Sequence, residues 1–266
     1  MDLQLEGKRA LVTGGSKGIG KAIARQLARE GCDVVIASRT AADLEATAKE
    51  LAAETGRKIV AITVDTADDA SVKALVEGAA KALGGLDILV NNAAAPGGVT
   101  PPPKLAEITE EAFYADVDVK VLGYLRCARE AAPHMIKGGW GRIINISGLA
   151  ARQTGSIIGS IRNVSVSAIT KNLADELGPK GINVTVLHPG STRTERTGPR
   201  LAKMVADSGS TLEEAERRVG AGSSIGRMIE TSEIADVVAF LASPRSVSIN
   251  GDGIGVAGGS KGAIHY

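Results

Sequence analysis

The chain has 266 residues, 44% of them hydrophobic and 23% charged, with 31 basic against 30 acidic side chains and a net charge of +1. That balance describes a globular chain long enough to bury one large core. It excludes the basic footprint of a nucleic-acid binder and a polybasic membrane patch. Two Phe, one Trp and three Tyr leave too few rings for a base-stacking platform. Cys32 and Cys127 stand far apart in apolar surroundings and read as reduced, buried small hydrophobes. His134, His188 and His265 are scattered and give no metal-ligand spacing. Residues 1–8 hold no apolar signal segment, and no run approaches roughly 18 apolar residues. A cytoplasmic protein is expected.

Arg9–Thr13 is a short apolar run of strand formers. A glycine-rich turn follows, Gly14-Gly15-Ser16-Lys17-Gly18-Ile19-Gly20. From there Ile19, Ala22, Ile23 and Leu27 recur at helical spacing. A buried strand that bends through glycines into a helix start is a phosphate site. Unpaired helix amides point at the turn, the macrodipole favours an anion, and glycine lets the backbone approach a pyrophosphate. A strand–helix turn without a ligand is the plainer alternative. Asp33–Ala37 reads as a central parallel strand, ended by Ser38 and Arg39. In dinucleotide folds an acidic residue here holds the ribose 2′-hydroxyl. Ser38 brings no carboxylate, whereas Arg39, with Lys17 in the turn, can grip a 2′-phosphate. The charge pattern therefore predicts NADP(H) as cofactor, with NAD(H) second, unless Arg39 and Lys17 are solvated surface cations.

An exposed helix is predicted over 41–55, a strand over Lys58–Val64, a helix over 69–83 and a strand over Leu86–Val90. Strands alternating with helices predict an α/β, Rossmann-like, doubly wound parallel sheet. Residues 95–103 are rich in proline and glycine. They read as a loop at the carboxyl edge of the sheet, where such folds place ligands. Glu107–His134 reads as one long helix with Thr109 as its N-cap. Phe113, Val117, Lys120, Tyr124 and Cys127 share a stripe, so a lysine takes a core-facing place. Gly141–Ser147 is the fifth strand and Val164–Leu177 a helix with Val164, Ala168, Leu173 and Leu177 inward. Gly181–Leu187 is the sixth strand, left through His188-Pro189-Gly190. Residues 196–227 are polar and Gly/Ser-rich with a helical stretch from Leu212 to Val219, either a substrate lid or a plain surface excursion. A helix over Glu233–Leu241 and a last strand within Ser248–Gly259 complete one domain over 1–266, with about seven strands and helices on both faces.

The turn spells T-G-x-x-x-G-I-G from Thr13 to Gly20, which resembles the cofactor motif of the short-chain dehydrogenases/reductases. The resemblance extends along nearly the whole chain. Asn91-Asn92-Ala93-Ala94 resembles the family's N-N-A-G and implies that Asn92 and Ala93 wall the adenosine side of the cofactor. Asp65 stands where the family has an acidic residue contacting adenine, and it could equally cap the next turn. Pro189-Gly190 and Thr194 resemble the clamp on the nicotinamide carboxamide. The implied cofactor residues are thus Gly14, Ser16, Lys17, Gly18, Ile19, Gly20, Ser38, Arg39, Asp65, Asn92, Ala93, Pro189, Gly190 and Thr194. The resemblance also implies a small-molecule carbonyl or alcohol substrate, and a homodimer or homotetramer through the two long helices.

In the family a tyrosine in a Y-x-x-x-K motif is the acid/base, a serine holds the substrate oxygen, and an asparagine on the preceding helix carries a relay water. Here no tyrosine is followed by lysine at that spacing. Counting back from L-A-D-E-L-G-P-K-G-I-N-V and from His188-Pro189-Gly190 puts the tyrosine position at Gly159 and the lysine position at Asn163. Ser167 and Lys171 have the spacing but lie too late. Ser147, or Gly148 in a rival alignment, takes the serine's place. D-V-K-V-L-G puts Lys120 where the family has asparagine. Lysine and asparagine have thus exchanged places. A core-facing Lys120 is expected to be desolvated and to lose its proton near neutrality, which suits a proton donor. A lysine reaching the surface or pairing with Asp116 or Asp118 is the alternative, with Tyr124 an outside proton source. The expected activity is an NADP(H)-dependent oxidoreductase with Ser147, Lys120 and Asn163 at its centre. The rivals are an NADP(H)-binding protein without redox turnover and a non-redox reaction such as elimination.

Overall fold

The computed structural model describes residues 1–94 and 102–261. Most of the expected 95–103 loop, and His265, lie outside the described residues. Arg9–Thr13 forms β1, Gly18–Arg29 α1, Asp33–Ser38 β2, Ala41–Thr55 α2, Ile59–Thr63 β3, Asp69–Leu83 α3 and Ile88–Asn91 β4. Then come α4 (Glu110–Val117), α5 (Gly123–Gly138), β5 (Gly141–Ile146), α6 (Ile157–Leu177) and β6 (Ile182–Pro189). The last part holds β7 (Thr192–Arg193), α7 (Thr197–Ser208), α8 (Leu212–Gly220), β8 (Ile229–Glu230), α9 (Thr231–Ala242) and β9 (Gly253–Val256). Among the described residues seven strands form one parallel sheet in the order β3-β2-β1-β4-β5-β6-β9, and the short β7 and β8 pair separately. Strand order reverses between β1 and β4, and open α/β sheets form their crevice at such a point.

The strands are apolar on both faces because helices cover both. Val12, Val34 and Ile36 pack with Ile23 and Leu27 of α1, Leu44 and Leu51 of α2, and Ile234 and Val238 of α9. Leu11, Val35, Leu89 and Ile143 point the other way, against Val72, Leu75 and Val76 of α3 and Cys127, Ala131 and Met135 of α5. Cys32 and Cys127 are free and buried, and burial pushes each thiol up to about 12.

Two helices depart from the expected reading. The Thr109 hydroxyl accepts the Ala112 amide at 3.2 Å and starts α4 there, not at Glu107. The helix then passes Pro133 and stops at Gly139, whose φ is 68°. Asp118–Leu122 between α4 and α5 is a π turn. Such a turn accommodates one extra residue in the helix, and here Lys120 within it and Tyr124 just after it are both buried.

Helix α6 starts at Ile157 rather than Val164, because the Ser156 hydroxyl accepts the Gly159 amide at 3.0 Å. Its buried face carries Ile158, Asn163, Val166, Thr170, Ala174 and Leu177. Val164 is 51% exposed and Ala168 also faces outward, against expectation. The cause is polar. Asn91 Nδ2 donates to Asn145 Oδ1 and Asn145 Nδ2 to Thr170 Oγ1, both at 2.9 Å. This buried chain turns α6 toward β5 by its hydrogen-bonding residues, not by its longest apolar stripe.

Residues 196–227 hold two helices, α7 and α8, where one was expected. Among the described residues no helix is long and apolar enough to cross a membrane, and no group of His, Cys, Asp and Glu could hold a metal.

Candidate active site

At the carboxyl ends of β1, β2 and β4 a cleft of about 420 Å³ opens over the start of α1. The glycine turn is its floor. Gly14 and Gly18 take φ of 67° and 56°, in the left-handed region that favours glycine. A Cβ on Gly20 would collide with the Gly14 carbonyl. The Thr13 hydroxyl accepts the backbone amides of Asn92 and Ala93 at 3.0 and 3.1 Å. Asn92 Nδ2 donates to the carbonyls of Thr13 and Gly14 at 3.0 and 3.2 Å. The segment after β4 thus fixes the shape of the turn after β1.

Gly14, Ser16, Lys17, Gly18, Ile19, Gly20, Ser38, Arg39, Asp65, Asn92, Ala93 and Thr194 all line this cleft, whereas Pro189 and Gly190 do not. Pro189 ends β6, and the Gly190 amide donates to Val256 O at 3.0 Å, which ties it to β9. Lys17 pairs with Asp43 at 2.7 Å, so its charge is partly answered within the protein. Arg39 is exposed at the rim. Ser38 Oγ is buried without a hydrogen-bond partner among the described residues. Asp65 accepts the Ala67 amide at 3.0 Å, so it caps its turn while also lining the cleft.

Sequence reasoning missed Glu195. Its two carboxylate oxygens accept the Gly18 amide at 3.2 and 3.0 Å. Helix α1 has no side-chain cap of its own, and a carboxylate is what such a helix start attracts. Glu195 follows Thr194 directly, but its partner is 177 residues away, so no local signal announces the contact.

The second constellation joins β5, α6 and the π turn. Lys120 Nζ donates to Ser147 O and to Asn163 Oδ1, both at 3.0 Å. Ser147 Oγ donates to Asn163 O at 3.1 Å and lies 3.3 Å from its Oδ1. All three residues are buried, so the structure brings the lysine and the asparagine together beside the serine. Lys120 does not reach the surface. Asp116 is taken by Arg162, and Asp118 by Arg126 at 2.8 Å. Burial first, and the Arg162 guanidinium second, pull the Lys120 ammonium down to about 7, with Asp116 opposing.

Tyr124, the outside candidate, is buried with its ring centre 5.9 Å from Lys120 Nζ. Its hydroxyl donates to Ile146 O at 2.9 Å, and burial pushes the phenol above the ordinary tyrosine range. Gly148, the rival to Ser147, offers only backbone, and its carbonyl lies 3.1 Å from His188 Nδ1. Gly159 is buried, and a Cβ there would stand 2.7 Å from Ser156 Oγ. A larger side chain at position 159 therefore requires Ser156 to move.

A doubly wound parallel sheet with a glycine-turn cleft at its switch point is a domain of the dinucleotide-binding type. The short chain dehydrogenase family model matches residues 8–204. An uncharacterized oxidoreductase of Methylorubrum extorquens is 37% identical over 264 residues, 97% of this chain and 99% of its own. The short-chain reductase protein NovJ of Streptomyces niveus is 34% identical over 94% of this chain and 92% of its own. The solved L-sorbose reductase from Gluconobacter frateurii, in complex with NADPH and L-sorbose, matches with a TM-score of 0.94 and 29% identity, over 99% of this chain and 100% of that one. The chain belongs to the short-chain dehydrogenase/reductase family of oxidoreductases.

Proposed function

We propose that this protein binds NADP(H) in the glycine-turn cleft and interconverts a carbonyl and an alcohol, using the Lys120 amine where the family uses a phenol. One observation carries the reading: an amine poised near neutrality is buried 3.0 Å from Asn163 Oδ1, beside Ser147. The cleft fits the cofactor on three counts. A Cβ at Gly20 would fill its cradle, Ser38 Oγ awaits a partner, and an anion is already drawn to the Gly18 amide. That the L-sorbose reductase neighbour carries NADPH supports the same choice.

Bound there, the dinucleotide supplies or takes up a hydride. Gly14, Ser16, Lys17, Gly18, Ile19 and Gly20 would hold its diphosphate. Ser38 and Arg39 would hold the 2′-phosphate, Asp65, Asn92 and Ala93 the adenosine, and Thr194 the nicotinamide half. Pro189 and Gly190 fix the strand end from which Thr194 departs. In reduction the Lys120 ammonium would give one proton to the carbonyl oxygen. In oxidation the neutral amine accepts that proton. The Ser147 hydroxyl leaves Asn163 to hydrogen-bond the reacting oxygen, and Asn163 holds the amine in place. General acid catalysis of this kind contributes about 10²–10⁴-fold.

The whole chain acts as one domain, with residues 196–227 as a lid over a small-molecule substrate. Ile157, Ile161 and Val164 of α6, at 48%, 43% and 51% exposed, suit a homodimer or homotetramer through the long helices. The test is steady-state NADPH oxidation against a panel of carbonyl compounds, with Lys120→Met and Ser147→Ala beside the wild type. Wild-type turnover that drops by about 10²-fold or more in Lys120→Met is expected. Turnover indifferent to both substitutions ends the reading. NADPH binding with no turnover of any substrate replaces it with a binding role.

A further inference from the structure

We infer that the Asp116–Arg162 ion pair is a positioning clamp on Lys120 and sets the pH at which its amine holds a proton. The inference rests on the proposed use of Lys120 as the acid/base group, but its central measurement does not need turnover. The clamp is geometric before it is electrostatic. Arg162 precedes Asn163 on α6, and Asn163 accepts the Lys120 hydrogen bond. Asp116 lies one helical turn before Lys120, on α4. The pair therefore ties together the two segments whose side chains meet at the amine. Both members are only 19% exposed, so water screens them weakly.

The two charges act on Lys120 with opposite sign: the guanidinium disfavours an ammonium and the carboxylate favours it. Among the described residues, no other charged group acts on the amine enough to be named beside these two. On the π turn and α5, Asp118 and Arg126 neutralise each other at 2.8 Å. The Tyr124 ring centre is 5.9 Å from the ammonium, and its phenol stays protonated. Strand β5 and the residue after it present the uncharged Ser147 carbonyl. Among the described residues, Asp116 and Arg162 are thus the charges that move the amine.

The test is carbon-13 NMR of the full chain labelled at the lysine ε-carbon, with the Lys120 signal assigned by Lys120→Arg and titrated across neutrality. Asp116→Asn removes the favouring charge and should lower the midpoint by about one pH unit. Arg162→Gln removes the disfavouring charge, frees Asp116, and should raise the midpoint by about as much. Asp116→Asn/Arg162→Gln should fall between the two. Arg162→Lys, which keeps the charge, and Lys171→Gln, farther along α6, should titrate like the wild type. If Asp116→Asn does not fold, Asp116→Ser carries the same sign. Midpoints that stay put, or that move the same way in both single variants, overturn the clamp. Midpoints that move oppositely while turnover ignores Lys120 support the clamp and remove Lys120 from the chemistry.

Discussion

The cleft over α1 and the cluster around Lys120 are built in opposite ways. The cleft is largely backbone: the Gly18 amide, left-handed glycines, and amides after β4 held by the Thr13 hydroxyl. The cluster is side chains delivered from three separate elements. A backbone site depends on where a Cβ is forbidden, so its residues cannot be traded. A side-chain site depends only on which functional groups meet, so an ammonium and an amide can arrive from either helix. The phenol is different. Gly159 offers no side chain, and a Cβ there would stand 2.7 Å from Ser156 Oγ, so in the proposed reading the phenol's role passes to another group.

The largest expected effect breaks the side-chain site. Lys120→Met should lower kcat/KM by about 10²-fold or more. Exchanging both residues, Lys120→Asn/Asn163→Lys, should recover part of that loss by restoring an ammonium beside an amide. A double variant no faster than the single one would show that the carriers are not interchangeable. The pH profile carries a sign of its own. With Lys120 as the proposed acid, reduction needs the ammonium, so its wild-type rate should fall as pH rises past about 7, while alcohol oxidation should rise over the same interval. Stability follows by linkage. The folded value of about 7 lies below the ordinary lysine value of 10.5. Between these the unfolded chain binds more protons, so stability should rise with pH, by on the order of 1 kcal/mol per pH unit. Below the folded value the full cost of burying the ammonium remains. Lys120→Met should lose that slope, which urea titrations at several pH values read directly.

The next effect concerns a side chain at the rim of the cleft. Arg39→Ala should weaken NADPH by about 10–100-fold, the worth of charge-assisted hydrogen bonds to a phosphate, and should leave NADH nearly unchanged. Fluorescence titration with both cofactors checks it. Equal losses for the two would mean that Arg39 shapes the cleft rather than reading the 2′-phosphate.

The same contrast explains what could be read in advance. Strand runs and the glycine turn were legible because burial on both faces and the exclusion of Cβ leave local marks. The Lys120–Asn163 meeting was legible because each residue sits at a fixed offset from a recognisable motif. The rotation of α6 was hidden, since Thr170 faces β5 for a hydrogen bond to Asn145 that the apolar period of α6 contradicts. The π turn was hidden because Phe113, Val117, Lys120, Tyr124 and Cys127 keep three- and four-residue spacing straight across it. Arg162 holding Asp116, and Glu195 reaching Gly18, are long-range pairings between ordinary surface residue types.

Glu195 gives the smallest expected effect and the sharpest probe of a backbone site. Its carboxylate sits on the amide that a diphosphate would need. Two anions cannot share one helix start, so cofactor binding must first displace this one. A carboxylate at a helix N-terminus is worth about 0.3–1 kcal/mol, so Glu195→Gln should tighten NADP(H) by roughly two- to five-fold. Salt screens the same attraction, so the gap between variant and wild type should narrow at high ionic strength. Inorganic pyrophosphate, which reaches only the helix start, should show the gain as well. Were Glu195→Gln to weaken the cofactor instead, the carboxylate would be a support for the bound state, contacting ribose or positioning Thr194, and the cleft would depend on side chains after all.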